Sequence, residues 1–181
     1  MALKSTIFKI DLEIADMDRG YYESHPLTVA RHPSESDDRM MMRILAFALN
    51  AHESLEFGAG ISTEDEPDLW RRSLSGEIEQ WIDLGLPDER RVRRACGRAD
   101  EVMVYCYGGG KVDAWWAANE KSLTRSRNLT VFEMPWSDTI GLGELASRGA
   151  SFQCNIQDGV VSLFNGDQSA EVTPRRLHPP T

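Results

Sequence analysis

Residues 64–94 read EDEPDLWRRSLSGEIEQWIDLGLPDERRVRR. Pro67-Asp68 is followed by a turn-rich segment, Ser73-Leu74-Ser75-Gly76, and then by residues 77–84, which end on Asp83 and Leu84. In that run a period of two sets Glu77, Glu79, Trp81 and Asp83 against Ile78, Gln80, Ile82 and Leu84, the pattern of a strand. Pro87, Asp88 and Glu89 open a short helix over 87–96, Arg93 and Arg94 stand in its last turn, and Gly97 follows. Two acids at the ends of neighbouring strands, beside a basic helix, point to a divalent-cation site at Asp68 and Asp83.

Working outward, residues 101–107 (EVMVYCY) form a nearly continuous apolar run, expected of a central strand covered on both faces. Gly108-Gly109-Gly110-Lys111 leads from it into a helix over 111–121, without the spacing of a phosphate-binding loop. Upstream, short strands are expected over 55–61 and 69–73. Ser34-Glu35-Ser36-Asp37 is a capping pattern that opens a helix over 38–52, with Met41, Leu45, Ala48 and Leu49 on its apolar face.

The N-terminal stretch 3–14 sets Lys9, Asp11 and Glu13 against Phe8, Ile10, Leu12 and Ile14, a half-buried strand whose hairpin partner is 21–31. Downstream come a strand over 128–134, a helix within 135–148 capped by Ser137, and strands over 150–157 and 160–165. Asp158-Gly159 joins the last two in a type I′ turn. Alternating strands and helices predict an α/β fold, a mixed sheet flanked by helices. The expected domain is a single one over 1–172, with 173–181 as a loosely held proline-rich tail.

The chain has 181 residues, 41% of them hydrophobic and 27% charged, which suits a globular domain with a real core. No signal-peptide pattern and no apolar run near the ~20 residues of a membrane span is present, so the expectation is a cytoplasmic protein with no membrane partner. The net charge of −9 argues against broad non-specific nucleic-acid binding, yet Arg71, Arg72, Arg90, Arg91, Arg93, Arg94 and Arg98 form a local basic cluster. Three cysteines without a C-x-x-C pair predict buried thiols, and no histidine or serine-nucleophile motif occurs.

From Ser34 to Tyr107 the expected order is helix, strand, strand, strand, helix, strand. With Pro67-Asp68 at one strand and Asp83 on the next, it resembles the core of the PD-(D/E)xK nuclease superfamily. ARHPSE (30–35), EPDLW (66–70), WIDLGLPDERR (81–91), the Trp115-Trp116 pair and IQDGV (156–160) are, moreover, similar to the YaeQ family of small bacterial proteins, with a variant of that fold. The resemblance implies a PD-(D/E)xK core extended by the N-terminal hairpin and the C-terminal strands. It also implies a magnesium-dependent phosphodiesterase or nuclease. Asp68 and Asp83 would hold magnesium, or manganese, with Glu35 or Asp38 as a further carboxylate.

The superfamily's lysine position falls on Gly85. The missing cation is therefore expected from Arg91 or Arg94, although arginine is a poor proton acceptor. A second reading follows from the same residues: a catalytically inactive nuclease-fold protein that binds nucleic acid or a transcription or repair partner. A third is a protein-binding scaffold that presents Trp70, Trp81, Trp115, Trp116 and Trp136.

Overall fold

The computed structural model describes residues 4–59 and 64–179. In chain order the elements are β1 (Thr6–Asp16), β2 (Tyr21–Arg31), α1 (Asp37–Leu49), β3 (Leu55–Phe57), β4 (Leu69–Arg72), β5 (Ile78–Leu84), α2 (Glu89–Arg98) and β6 (Ala99–Cys106). There follow α3 (Gly110–Leu123), β7 (Leu129–Glu133), α4 (Trp136–Thr139), a 3-10 turn (Leu142–Leu145), β8 (Ser151–Gln157), β9 (Val160–Asn165), β10 (Gln168–Val172) and β11 (Arg175–His178). The chain divides into two compact units at Ala51/His52, Trp136/Ser137 and Thr173/Pro174. Among the described residues no helix is long and apolar enough to cross a membrane.

The first unit holds a five-stranded sheet in the order β10-β9-β8-β1-β2. β1 pairs antiparallel with β2 from Thr6↔Arg31 to Asp16↔Tyr21, and parallel with β8 from Asp11↔Ser151 to Asp16↔Ile156. The alternation of β1 is realised: Phe8, Ile10, Leu12 and Ile14 are buried and Lys9, Asp11 and Glu13 are exposed. At the β8–β9 turn Asp158 and Gly159 both have positive φ (52° and 77°), as a type I′ turn requires, and the Asp18 carboxylate accepts their N–H groups at 2.8 and 2.9 Å.

Helix α1 starts one step after Ser36, whose Oγ accepts from the Arg39 N–H at 3.1 Å. It is buried more widely than one stripe, because Met40, Ile44 and Phe47 join Met41 and Leu45. Its first turn is tied down by Glu35: Arg43 donates to both carboxylate oxygens (2.5 and 3.0 Å), Arg39 adds a bond at 2.8 Å, and Arg43 also reaches the Ala30 carbonyl at 2.9 Å. Two arginines on α1 thus neutralise a buried acid and join the helix to the end of β2.

The second unit holds a six-stranded sheet in the order β11-β7-β6-β5-β4-β3. β5, β6 and β7 are parallel, while β3, β4 and β11 are antiparallel to their neighbours. Helices α2 and α3 form the two parallel crossovers, and their Val92, Ala95, Val112 and Leu123 pack in one core with Trp81, Val102, Val104 and Val131. Residues 78–84 therefore lie between 69–72 and 99–106, as the sequence order requires.

Several expectations change. The N-terminal hairpin and the strands expected over 150–157 and 160–165 do not extend the sheet that carries β5; with β10 they form a sheet of their own. Period-two patterning reports which face of a strand is buried, not which strand lies beside it. The tail expected to be loose adds β11 to the edge of β7, where Arg175 Nε meets the Glu133 carboxylate at 2.8 Å. The strand expected over 55–61 is observed as Leu55–Phe57, and positions 60 and 61 lie outside the described residues. The helix expected to begin at Pro87 begins at Glu89 with Asp88 as its cap, and it runs through Gly97 to Arg98. The helix expected within 135–148 is split by Gly141 at φ 76° into α4 and the 3-10 turn.

Removing Glu35 leaves the buried Arg43 without its carboxylate. Glu35→Ala is expected to lower stability by ~3–5 kcal/mol, read from the urea midpoint. An unchanged midpoint would show that Arg43 finds water or another acceptor.

Candidate functional site

The β4–β5 register pairs Leu69 with Ile82, so Asp68, one residue before β4, comes opposite Asp83 in β5. The approach to Asp68 is close-packed. Gly58 N–H donates to the Asp68 carbonyl at 2.9 Å, and a Cβ on Gly58 would come within 1.9 Å of the Pro67 carbonyl oxygen. Only glycine allows that approach. Asp68 Oδ2 accepts from the Leu84 N–H at 2.8 Å. Both acids are buried, Asp68 at 9% and Asp83 at 2% exposure.

Arg91 completes the group. Its Nε donates to Asp83 Oδ2 at 2.8 Å and its Nη2 to Oδ1 at 2.9 Å, a bidentate fork on one carboxylate. Nη2 also donates to the Glu66 carbonyl and Nη1 to the Glu64 carbonyl, both at 2.9 Å. The hydrogen bonds to Asp83 push the Arg91 pKa above its ordinary value; burial opposes this, and the charges of Asp83, Asp68 and Asp88 add to it. Asp88 supplies the helix cap that aims this side chain, since its Oδ1 accepts the Arg91 N–H at 2.8 Å.

Gly85 explains why no lysine stands beside the acids. Its N–H continues the parallel ladder to the Tyr105 carbonyl at 2.9 Å with φ at 94°, in the left-handed region. A Cβ there would find room, 3.9 Å from the Tyr107 ring, but the backbone would be strained. The position is closed to lysine by conformation rather than by space.

Asp68, Asp83 and Arg91 are thus brought together, and the other residues expected at the site are not. Glu35 lies in the first unit with its carboxylate held by Arg43 and Arg39, and Asp38, also in that unit, accepts from the Gly143 N–H at 2.6 Å. Arg94 turns outward to the exposed Asp65, at 2.9 Å. Among the described residues no three His, Cys, Asp or Glu side chains form a metal's ligand set. Both Asp83 oxygens are engaged by a cation of the chain itself. Nor do the thiols offer a nucleophile: burial pushes Cys106 and Cys154 up to about 12 and raises Cys96 as well.

Next to the acid pair the outer face of α2 borders a cavity of about 500 Å³, lined by Arg90, Arg91, Arg94 and Arg98 with Glu64 and Asp88. Trp81 lines it too, 2% exposed, with the guanidinium of Arg98 5.1 Å and that of Arg91 5.8 Å from its ring centroid. Arg98 was missed as part of this face, because the helix expected over 87–96 ended before it; α2 runs to Arg98. The Glu64 and Glu66 carbonyls left no trace in residue type.

Residues 1–174 match the family described as YaeQ protein. The chain is 40% identical over 172 residues to the uncharacterized protein YaeQ of Escherichia coli (strain K12) and to that of Salmonella typhi, covering 95% of both partners in each comparison. It superposes on the crystal structure of the YaeQ protein from Xanthomonas axonopodis pv. citri with a TM-score of 0.94 at 49% identity, covering 97% of this chain and 99% of that one. The YaeQ protein from Pseudomonas syringae gives 0.91 at 32% identity and 97% of both chains.

Asp83 is held by a cation, so its removal does not relieve repulsion. Asp83→Asn is expected to destabilise the protein by ~3 kcal/mol, the low end for breaking a buried pair, since the Arg91 side chain keeps 25% exposure. Chemical denaturation measures this, and a gain in stability would mean that the two acids repel more than Arg91 attracts.

Proposed function

The chain belongs to the YaeQ family, and from the clamp of Arg91 on Asp83 we propose a nuclease-like protein that binds nucleic acid without cleaving it. The order α1, β3, β4, β5, α2, β6, with Asp68 opposite Asp83, supports the likeness to the PD-(D/E)xK core. The single observation that carries the loss of chemistry is the bidentate ion pair. A magnesium ion needs free carboxylate oxygens alongside its waters, and here it would have to displace a guanidinium held by four hydrogen bonds. Arginine remains protonated, so it does not replace the lysine as a proton acceptor.

The opposition of Asp68 and Asp83 favours a second reading, a magnesium- or manganese-dependent phosphodiesterase in which Arg91 leaves Asp83 when metal and substrate arrive. Calorimetric melting separates the two. A site with a Kd of ~1 mM would add ~1.4 kcal/mol of stability at ~10 mM magnesium. The expected result is no melting shift with magnesium or manganese, and no cleavage of single- or double-stranded DNA or RNA. A metal-dependent shift that disappears in Asp83→Asn, together with cleavage, would establish the second reading instead.

A further inference from the structure

We infer that the outer face of α2 is a site for the backbone of single-stranded nucleic acid, with Arg90, Arg94 and Arg98 taking successive phosphates. The inference rests on the nucleic-acid reading above and adds the place, the strandedness and the residues. Arg90, Arg94 and Arg98 follow one another at intervals of four residues, which at the helical rise sets them ~6 Å apart along the axis. That step matches the separation of neighbouring phosphates in an extended strand. All three are exposed.

Their present partners are weak. Arg90 makes no ion pair among the described residues, Arg94 meets only the exposed Asp65, and Arg98 donates to the Asp65 carbonyl at 3.1 Å and lies over Trp81. In a chain of net charge −9, α2 carries five arginines, of which Arg91, Arg93 and Arg94 meet Asp83, Glu89 and Asp65 while Arg90 and Arg98 meet no carboxylate among the described residues.

Trp81, which lines the same cavity, is 2% exposed, and its buried Nε1–H has no acceptor among the described residues. Four arginines face two carboxylates around that space; the Asp88 carboxylate is already engaged at the helix cap, and Glu64, together with Asp65 on Arg94, opposes an anion there.

The site reads backbone rather than bases. Trp81 is too buried to stack on a base, and no aromatic ring is among the other cavity-lining residues. Binding is therefore sequence-tolerant and strongly salt-dependent. A groove lined by arginines that follows one backbone suits a single strand.

The test is fluorescence anisotropy with a labelled oligo-dT 12-mer, alone and as a duplex with oligo-dA, over a salt series. For wild type, log K against log salt should fall with a slope of about −2, as for three phosphates on a single strand. Arg90→Gln/Arg94→Gln/Arg98→Gln should weaken binding by at least ~10-fold and flatten that slope. A charge-matched control, Arg125→Gln/Arg127→Gln/Arg148→Gln, removes exposed arginines elsewhere and should change the Kd less than ~3-fold. Arg90→Gln alone, which breaks no ion pair, keeps the test valid if the triple variant unfolds, and should reduce the slope by ~0.7.

If wild type binds and the α2 variants bind equally well, the site is overturned and the nucleic-acid reading stands. If the duplex binds as tightly as the single strand, the strandedness is overturned. If wild type binds neither at low salt, both the reading and the site fall.

Discussion

The Arg91 guanidinium holds three separate pieces of chain on one charge: the Asp83 carboxylate of β5, the carbonyls of Glu64 and Glu66 before β4, and its own helix α2. Asp83 is buried near the end of β5, between β4 and β6, where an unpaired carboxylate is costly. The surrounding features are arranged to deliver one cation to that place. The left-handed Gly85 turns the chain out of β5, Asp88 caps the helix and sets its first turn, and Arg91 in that turn reaches back over the strand. Loss of any of these would leave Asp83 uncompensated.

The first unit solves a similar problem in the same way. Glu35 is buried at the start of α1 and is held by Arg43 and Arg39, which are themselves on that helix. In both cases a fork-shaped cation matches the planar carboxylate, and a backbone carbonyl takes a further donor. Such pairs often contribute little to net stability compared with apolar packing, but they penalise every arrangement that separates the partners. They define where the helix begins relative to the strand that precedes it.

An acid pair of this kind has different consequences depending on what faces it. A lysine and a metal would make it a site for water activation. An arginine in the same place neutralises it and leaves no group to accept a proton. On the proposed reading the chemistry that remains is electrostatic and lies outside the acid pair, where α2 turns its exposed guanidiniums to solvent. One short helix would then divide the work: Arg91, clamped on Asp83, holds the fold, while the exposed Arg90, Arg94 and Arg98 are left for a ligand.

Much of this was legible in residue order. The alternation of β1, the Asp158-Gly159 turn, the cap before α1 and the position of β5 between β4 and β6 all follow from patterns within about ten neighbouring residues. Local backbone preference and side-chain periodicity write such patterns directly. The opposition of Asp68 and Asp83 was legible as well, since two strands joined by a short turn fix their own register.

What the sequence did not carry was the choice among equivalent partners. Arg90, Arg91, Arg93 and Arg94 are the same residue within one helix, and only the angle of α2 over β5 selects Arg91 for Asp83. Glu35 was equally plausible as a metal ligand or an ion-pair partner until Arg43, eight residues on, was seen to turn back on it. The division into two sheets, and the pairing of β11 with β7 across more than forty residues, depended on contacts between distant segments whose local chemistry is degenerate. Sequence by itself determined most of the elements up to β9, their faces and the acids that meet. Tertiary structure alone decided which cation meets those acids, because that is set by distance in space among residues the chain makes chemically alike.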